Sequence, residues 1–204
     1  IVVHGSYTVN FYELTYELDG TIYQKEVYSY GAKIECPEVP VKEGYTFSGW
    51  KNVPATMPAK NLTVKGLYDK NSYMVTYMVD GVVYNTQSVL FESKLNLLNV
   101  PQMEGYTFSG WNCSWETMPA HDIVIDGYFT VNSYLLTYIL DGEIYKQETK
   151  FYGTQVKPIN VPEKEGYTFS GWSNIPAVMP AKDLVLEGLY VVNKHTVTYY
   201  VDDN

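Results

Sequence analysis

The heptapeptide Gly-Tyr-Thr-Phe-Ser-Gly-Trp occurs three times in this chain, starting at Gly44, Gly105 and Gly166, each start 61 residues after the last. No other feature constrains the fold as strongly. A chain that repeats at a fixed period folds as repeated units, whereas 204 residues alone would suggest one or two ordinary domains. Other landmarks keep the same step. Asp-Gly falls at 19–20, 80–81 and 141–142. Met-Pro-Ala starts at Met57, Met118 and Met179. A lone glycine stands at Gly5, Gly66, Gly127 and Gly188, and an asparagine at Asn10, Asn71, Asn132 and Asn193. No insertion or deletion is needed anywhere.

This phasing divides the chain into the tail of a preceding repeat (1–9), three whole repeats (10–70, 71–131, 132–192) and the start of a further one (193–204). An alternative phasing opens each repeat at the segments around Ile1, Leu62, Ile123 and Leu184. In the last, partial copy Asp203 stands where the others have glycine. The chain starts at Ile1 without Met or a signal sequence, which reads as an internal cut.

Each repeat opens on an alternation. Leu14, Tyr16 and Leu18 share one face, as do Val75, Tyr77, Val79 and Leu136, Tyr138, Leu140; Thr15, Thr76 and Thr137 point the other way. Period two with aromatic and β-branched residues predicts a half-buried strand. Asp-Gly tolerates positive φ at both centre positions and predicts a two-residue hairpin. The second strand runs from Ile22-Tyr23, Val83-Tyr84 and Ile144-Tyr145 to Tyr30, Phe91 and Tyr152. A crossover follows, with one aliphatic to bury (Ile34, Leu95, Val156) and a Val-Pro step that allows one helical turn but no long helix. Tyr-Thr-Phe forms the third strand, and the glycine before Trp50, Trp111 and Trp172 predicts a bulge. A fourth strand closes at Tyr68, Phe129 and Tyr190. The predicted class is mainly β, bordering on α+β, with four strands per repeat and a short crossover in place of a full helix. About four residues around the asparagine join one repeat to the next, so neighbouring repeats are expected to stack and to share stability.

The composition suits such units. Of the residues 46% are hydrophobic, and 21 Tyr, 7 Phe and 4 Trp supply much of that. Aromatic rings bury a large area each, which helps a unit too small for an aliphatic core. All 14 basic residues are lysine, against 23 acidic ones, for a net charge of −9. That balance argues against nucleic-acid and anionic-membrane partners. No run of 18 apolar residues predicts a membrane span.

Within each repeat, Lys/Met-Glu-Gly-Tyr-Thr-Phe-Ser-Gly-Trp is followed some seven residues later by Met-Pro-Ala. The pattern resembles the Listeria–Bacteroides repeat, typified by the B-repeats of internalin B, and the resemblance covers essentially the whole chain. It implies a β-grasp-like module, display on a bacterial surface, and a stalk or adhesin role without catalytic residues. One departure is the Asp-Gly turn, where the family often has Asn-Gly-Gly; it tightens the hairpin.

No chemistry recurs with the period. His4, His121 and His195 fall at three different phases, and so do Cys36 and Cys113. The recurring carboxylates, Asp19, Asp80, Asp141 and Glu43, Glu104, Glu165, occupy turn positions that explain them without a cation. Lys42 and Lys164 correspond, but Met103 stands between them, so a Lys–Asn cross-link would not recur. No metal, cofactor or enzymatic activity is expected. The aromatics have two readings, as sheet core or as an exposed platform for a host protein or glycan. Trp50, Trp111, Trp172 and the copy-specific Trp115 (Pro54 and Pro176 in the other copies) are the candidate ligand-binding residues. The expected function is a spacer or stalk of an extracellular bacterial cell-surface protein. It would hold another domain away from the cell wall, with neighbouring repeats as its contacts. The alternative is an adhesive module that binds through repeated exposed aromatics.

Overall fold

A computed structural model describes residues 1–201; the turn position Asp203 lies outside them. The first alternating segment becomes β1 (Phe11–Leu18), which turns through Asp19-Gly20 into β2 (Thr21–Ser29). Asp19 and Gly20 have φ of 48° and 81°, and Leu18 faces Thr21 across the turn. The hairpin loop therefore has two residues and positive φ at both, the geometry that matches strand twist. Asp80-Gly81 and Asp141-Gly142 repeat it.

The other edge of β1 pairs in parallel with β4 (Leu62–Lys70), from Leu14 opposite Leu62 to Leu18 opposite Gly66. β3 (Tyr45–Lys51) pairs antiparallel with β4, so the order is β2-β1-β4-β3. A parallel partner cannot be reached by a tight hairpin, which is why a crossover must separate β2 from the closing pair. This mixed order with a parallel centre is compatible with a β-grasp-like module that lacks its helix.

The single helical turn that the Val-Pro step allows in the crossover does not form, and the described residues contain no helix. The backbone groups such a turn would use are committed elsewhere. Gly31 N–H donates to Met57 O at 2.9 Å, Met57 N–H to Ala32 O at 2.9 Å and Ile34 N–H to Ala55 O at 3.2 Å. The crossover is thus stitched to the Met-Pro-Ala loop. The stitch recurs through Met118 and Met179 and brings those methionines inside. One core comprises Leu14, Tyr16, Ile34, Met57 and Val64, and another Leu136, Tyr138, Val156, Met179 and Leu186.

The second copy comprises β5 (Ser72–Val79), β6 (Val82–Leu90), β7 (Tyr106–Phe108), β8 (Ile123–Gly127) and β9 (Phe129–Val131). The third comprises β10 (Ser133–Leu140), β11 (Glu143–Phe151), β12 (Tyr167–Phe169), β13 (Leu184–Gly188) and β14 (Tyr190–Val192). Their fourth strand is broken in two, unlike β4. The reason is a serine. Ser109 N–H donates to Tyr128 O at 2.8 Å, and Ser109 Oγ accepts from Tyr128 N–H at 3.0 Å. The hydroxyl takes the place of a ladder carbonyl. Ser170 does the same at Leu189, whereas Ser48 Oγ donates to Leu67 O and β4 stays continuous. The outcome is sheets β6-β5-β8 and β11-β10-β13 with two-stranded ribbons β7-β9 and β12-β14.

By contact density the chain separates into two compact units. One contains Ile1–Met78, Val82–Leu97 and Asn112–Asp126; the other contains Val79–Gly81, Leu98–Trp111 and the chain from Gly127 onward. The first holds the four-stranded sheet and nearly all of β6-β5-β8. The second holds β11-β10-β13 and both ribbons.

Candidate functional site

The bulge predicted before the tryptophan is present. Register shifts between Phe47 and Trp50, and Gly49, Gly110 and Gly171 have φ of 89°, 84° and 88°. This turns the indole over the sheet. Trp50 packs edge-on against Tyr16 at 5.0 Å and Phe47 at 5.4 Å between ring centroids, and its Nε1–H donates to Pro37 O at 3.1 Å. Trp172 repeats this with Tyr138, Phe169 and Ile159 O. Trp111 packs on Phe108 at 5.1 Å and donates to Leu98 O at 2.6 Å. Each indole donor is spent on a crossover carbonyl, so these three tryptophans clamp the crossover to the sheet.

Trp115 is different. It is 44% exposed, and His121 stacks edge-on to it at 5.5 Å. A second exposed apolar set recurs on the edge strand that follows the hairpin: Ile22 (65%), Val83 (57%) and Ile144 (65%), each followed by a tyrosine. Tyr23 and Tyr145 lie against Trp50 and Trp172 at 6.1 and 6.3 Å.

Lys42 sits 3.2 Å from Asp19 Oδ2, with its Nζ 4.1 Å from the Tyr45 centroid and 5.2 Å from that of Tyr68. Tyr68 Oη donates to Pro40 O. Asp19 also accepts from Tyr68 N–H at 3.0 Å, and these bonds, the backbone one foremost, hold its carboxyl below the usual range. Lys164 repeats the arrangement with Asp141, Tyr167 and Tyr190. Both lysines are at the surface, not in the core that a Lys–Asn cross-link needs. Cys36 and Cys113 are both free thiols. Among the described residues no three His, Cys, Asp or Glu lie together as metal ligands, and no helix is long and apolar enough to cross a membrane.

The linking asparagines take part in a structure the sequence did not reveal. Asn71 N–H donates to Gly44 O at 2.8 Å, Asn71 Oδ1 accepts from Thr46 Oγ1 at 2.7 Å, and Asn71 O accepts from Phe91 N–H at 2.8 Å. One residue so ties the third strand of one copy to the second strand of the next. Phe91 then lies flat on Gly44: a Cβ built there would fall 2.3 Å from the ring. Phe91 also meets Tyr45 edge-on at 5.6 Å. Glu92 joins this contact, 2.9 Å from both Tyr45 Oη and Lys70 Nζ. Asn132 repeats the three bonds with Gly105, Thr107 and Tyr152, and Tyr152 covers Gly105 as Phe91 covers Gly44. The recurring Asn, Gly-Tyr and strand-end aromatic were visible as landmarks; their meeting was not.

The profile of the Listeria-Bacteroides repeat domain matches residues 12–64, 73–124 and 134–183, well over half of the chain. The chain belongs to the Listeria-Bacteroides repeat family. Internalin H of Listeria monocytogenes is 34% identical over 119 residues, covering 48% of this chain and 22% of that protein. A Gly-rich protein of Evansella cellulosilytica is 25% identical over 241 residues, covering 93% of this chain and 28% of its own length. The chain thus spans less than a third of these curated relatives. Among solved structures, domains 3-4 of the Streptococcal High Identity Repeats in Tandem from a cell surface protein share 16% identity. The likeness covers 59% of this chain and 98% of that one, with a TM-score of 0.30, too loose to relate the folds. In this Listeria-Bacteroides repeat chain the family match ends in each copy near the start of the fourth strand, so Asn71 and Asn132 lie between the matched segments while the glycines and aromatic rings they bring together lie within them.

Proposed function

We propose that this chain is a run of spacer repeats from a bacterial cell-surface protein, bounded as 10–70, 71–131 and 132–192, which holds another domain away from the cell wall and performs no catalysis. The observation that carries this reading is the joint: the segment between copies is bonded at Asn71 and again at Asn132, and an aromatic ring seals each contact. Linkers bonded in this way resist swinging, which is what holding a domain at a distance requires. Family membership supports the location, since the family resemblance implies surface display. The test is to anchor the chain by one end in a polysaccharide layer with an epitope at the other. Removing 71–131, which preserves the period, should reduce antibody access while the remainder stays folded. Unchanged access would overturn the spacer reading.

A second reading, adhesion to a host protein or glycan, draws on the repeated exposed pairs at Ile22, Val83 and Ile144 and on Trp115. Bound densely on beads, the chain would then capture glycans or matrix proteins, and Trp115→Ala or the triple serine variant at the aliphatic positions would abolish capture. Absence of capture at high density leaves the spacer alone.

A further inference from the structure

In the order β6-β5-β8, β6 pairs with β5 on one side and, among the described residues, with no strand on the other. Its counterparts β2 and β11 are edge strands too, and all three are nine residues long. An edge strand offers a row of unpaired N–H and C=O groups to any other chain, and charged side chains are a common guard against that. β2 carries Lys25 and Glu26, with Lys25 paired to Glu13 at 2.8 Å. β11 carries Glu143, Lys146, Glu148 and Lys150, with Lys150 paired to Glu148 at 3.3 Å. In both of those copies the ladder register is irregular only toward the hairpin turn, between Tyr16 and Glu17 and between Tyr138 and Ile139, so charge guards the rest of the edge. β6 reads Val-Val-Tyr-Asn-Thr-Gln-Ser-Val-Leu, with no charge and no proline. Its ends are open to solvent: Val82 is 70% exposed, Val83 57% and Leu90 49%.

We propose that β6 is a docking edge for a second molecule of this chain, and that its occupant is the same strand, β6, entering antiparallel. The pattern of the strand selects this partner. Apolar Val82-Val83 and Val89-Leu90 flank a polar middle, Asn85–Ser88, so the strand reads nearly alike from either end. Antiparallel self-pairing sets each apolar end beside an apolar end of the partner, and the amide and hydroxyl side chains of the two middles beside one another, which are favourable cross-strand combinations. Main-chain bonds then supply affinity and the side-chain match supplies register. Two identical strands that meet in this way make an isologous contact, so the association closes as a two-fold pair and does not propagate. The net charge of −9 opposes association of two chains in general. β6 is an edge at which they meet without setting like charges against each other. β2 or β11 in its place would bring charged side chains against an uncharged row. The pairing joins two chains side by side, and it stands whether the repeats act as a spacer or as an adhesin.

The test is sedimentation of the 204-residue chain from micromolar to millimolar concentration, with a reductant present so that the exposed Cys36 forms no disulfide dimer. The chain should pass from monomer to dimer and no further. Thr86→Lys sets two like charges near the two-fold axis and should weaken the dimer by about tenfold or more. Lys25 holds the same position in β2, so lysine there is compatible with the folded repeat. Gln147→Lys makes the same change of charge at the corresponding place in β11 and should not weaken the dimer. Amide exchange gives the second readout: the β6 amides that do not bond β5 should gain protection as concentration rises, while β2 and β11 stay as they are. A chain that remains monomeric throughout would overturn the proposal. So would a dimer that tolerates Thr86→Lys, or one that Gln147→Lys weakens equally. A dimer that forms without added protection in β6 would place the contact on another surface and overturn it as well.

Discussion

At the scale of single residues, the lone glycine recurring at Gly66, Gly127 and Gly188 shows how a bare position can be a packing requirement. None of these three needs positive φ. They are glycine because the ring of the third strand lies across them: a Cβ on Gly127 would fall 2.3 Å from Phe108, and one on Gly66 would fall 2.6 Å from Phe47 and 2.9 Å from Trp50. A methyl group there must push rings that are themselves wedged against the core. Gly127→Ala is therefore expected to destabilise the chain by about 1–3 kcal/mol, the usual cost of overpacking. Denaturant unfolding followed by tryptophan fluorescence would measure this, because Trp111 must move with Phe108. A variant as stable as the parent would show that the rings are free to slide. The sequence marked this glycine as a landmark, but a glycine that accommodates a ring from another strand has no local signature.

At the scale of elements, alternation and turn chemistry are local, and both were legible: the buried faces of β1, β5 and β10, the Asp-Gly hairpins and the bulge before each tryptophan stand where those signals put them. The candidate tryptophans separated less cleanly. Sequence located the bulge that aims the indole, but whether its N–H meets water or a crossover carbonyl depends on contacts some thirteen residues away. The crossover was the least legible element. Proline excluded a long helix, but nothing local indicated that Ala32–Ile34 would bond to the Met-Pro-Ala loop. The serine that breaks the fourth strand in two copies was equally hidden, since the same Ser-Gly-Trp leaves β4 intact. The buried methionine holds the stitch from beneath. Met118 is 1% exposed, and its backbone bonds Glu92 and Ser93. Met118→Ala is expected to cost about 2–5 kcal/mol, the range for emptying a buried methionine site. Hydrogen exchange should show protection lost first at Glu92 and Leu95, whose N–H groups donate into this loop. Uniform loss across β5 and β6 instead would mean that the crossover has no separate dependence on the methionine.

At the scale of the whole molecule, the two joints share one geometry but differ in charge, which makes them separable in solution. The first carries Lys70 and Glu92, paired at 2.9 Å. The second has Val131 and Gly153 in their places and carries no ion pair there. Lys70 first, and then Tyr45, lower the Glu92 carboxyl below its ordinary value, with Lys42 adding a weaker pull. A carboxyl lowered in the folded state contributes stability that is present above the unfolded value, about 4.3 for glutamate, and is lost as pH falls through the folded one. Acidification from pH 7 to 3 should therefore loosen the first joint and spare the second. The Phe91 amide, bonded to Asn71 O, and the Tyr152 amide, bonded to Asn132 O, report the two joints independently. Exchange protection, corrected for intrinsic rates, should fall at Phe91 and hold at Tyr152. High salt at pH 7 should reproduce part of the loss, because both partners are substantially exposed and screening reaches them. Glu92→Gln should remove the pH dependence while leaving Phe91 seated on Gly44. Equal acid sensitivity at both amides, or a Glu92→Gln chain that still loosens at pH 3, would place the origin of the effect outside this pair and leave ring-on-glycine packing as the common source of cohesion between copies.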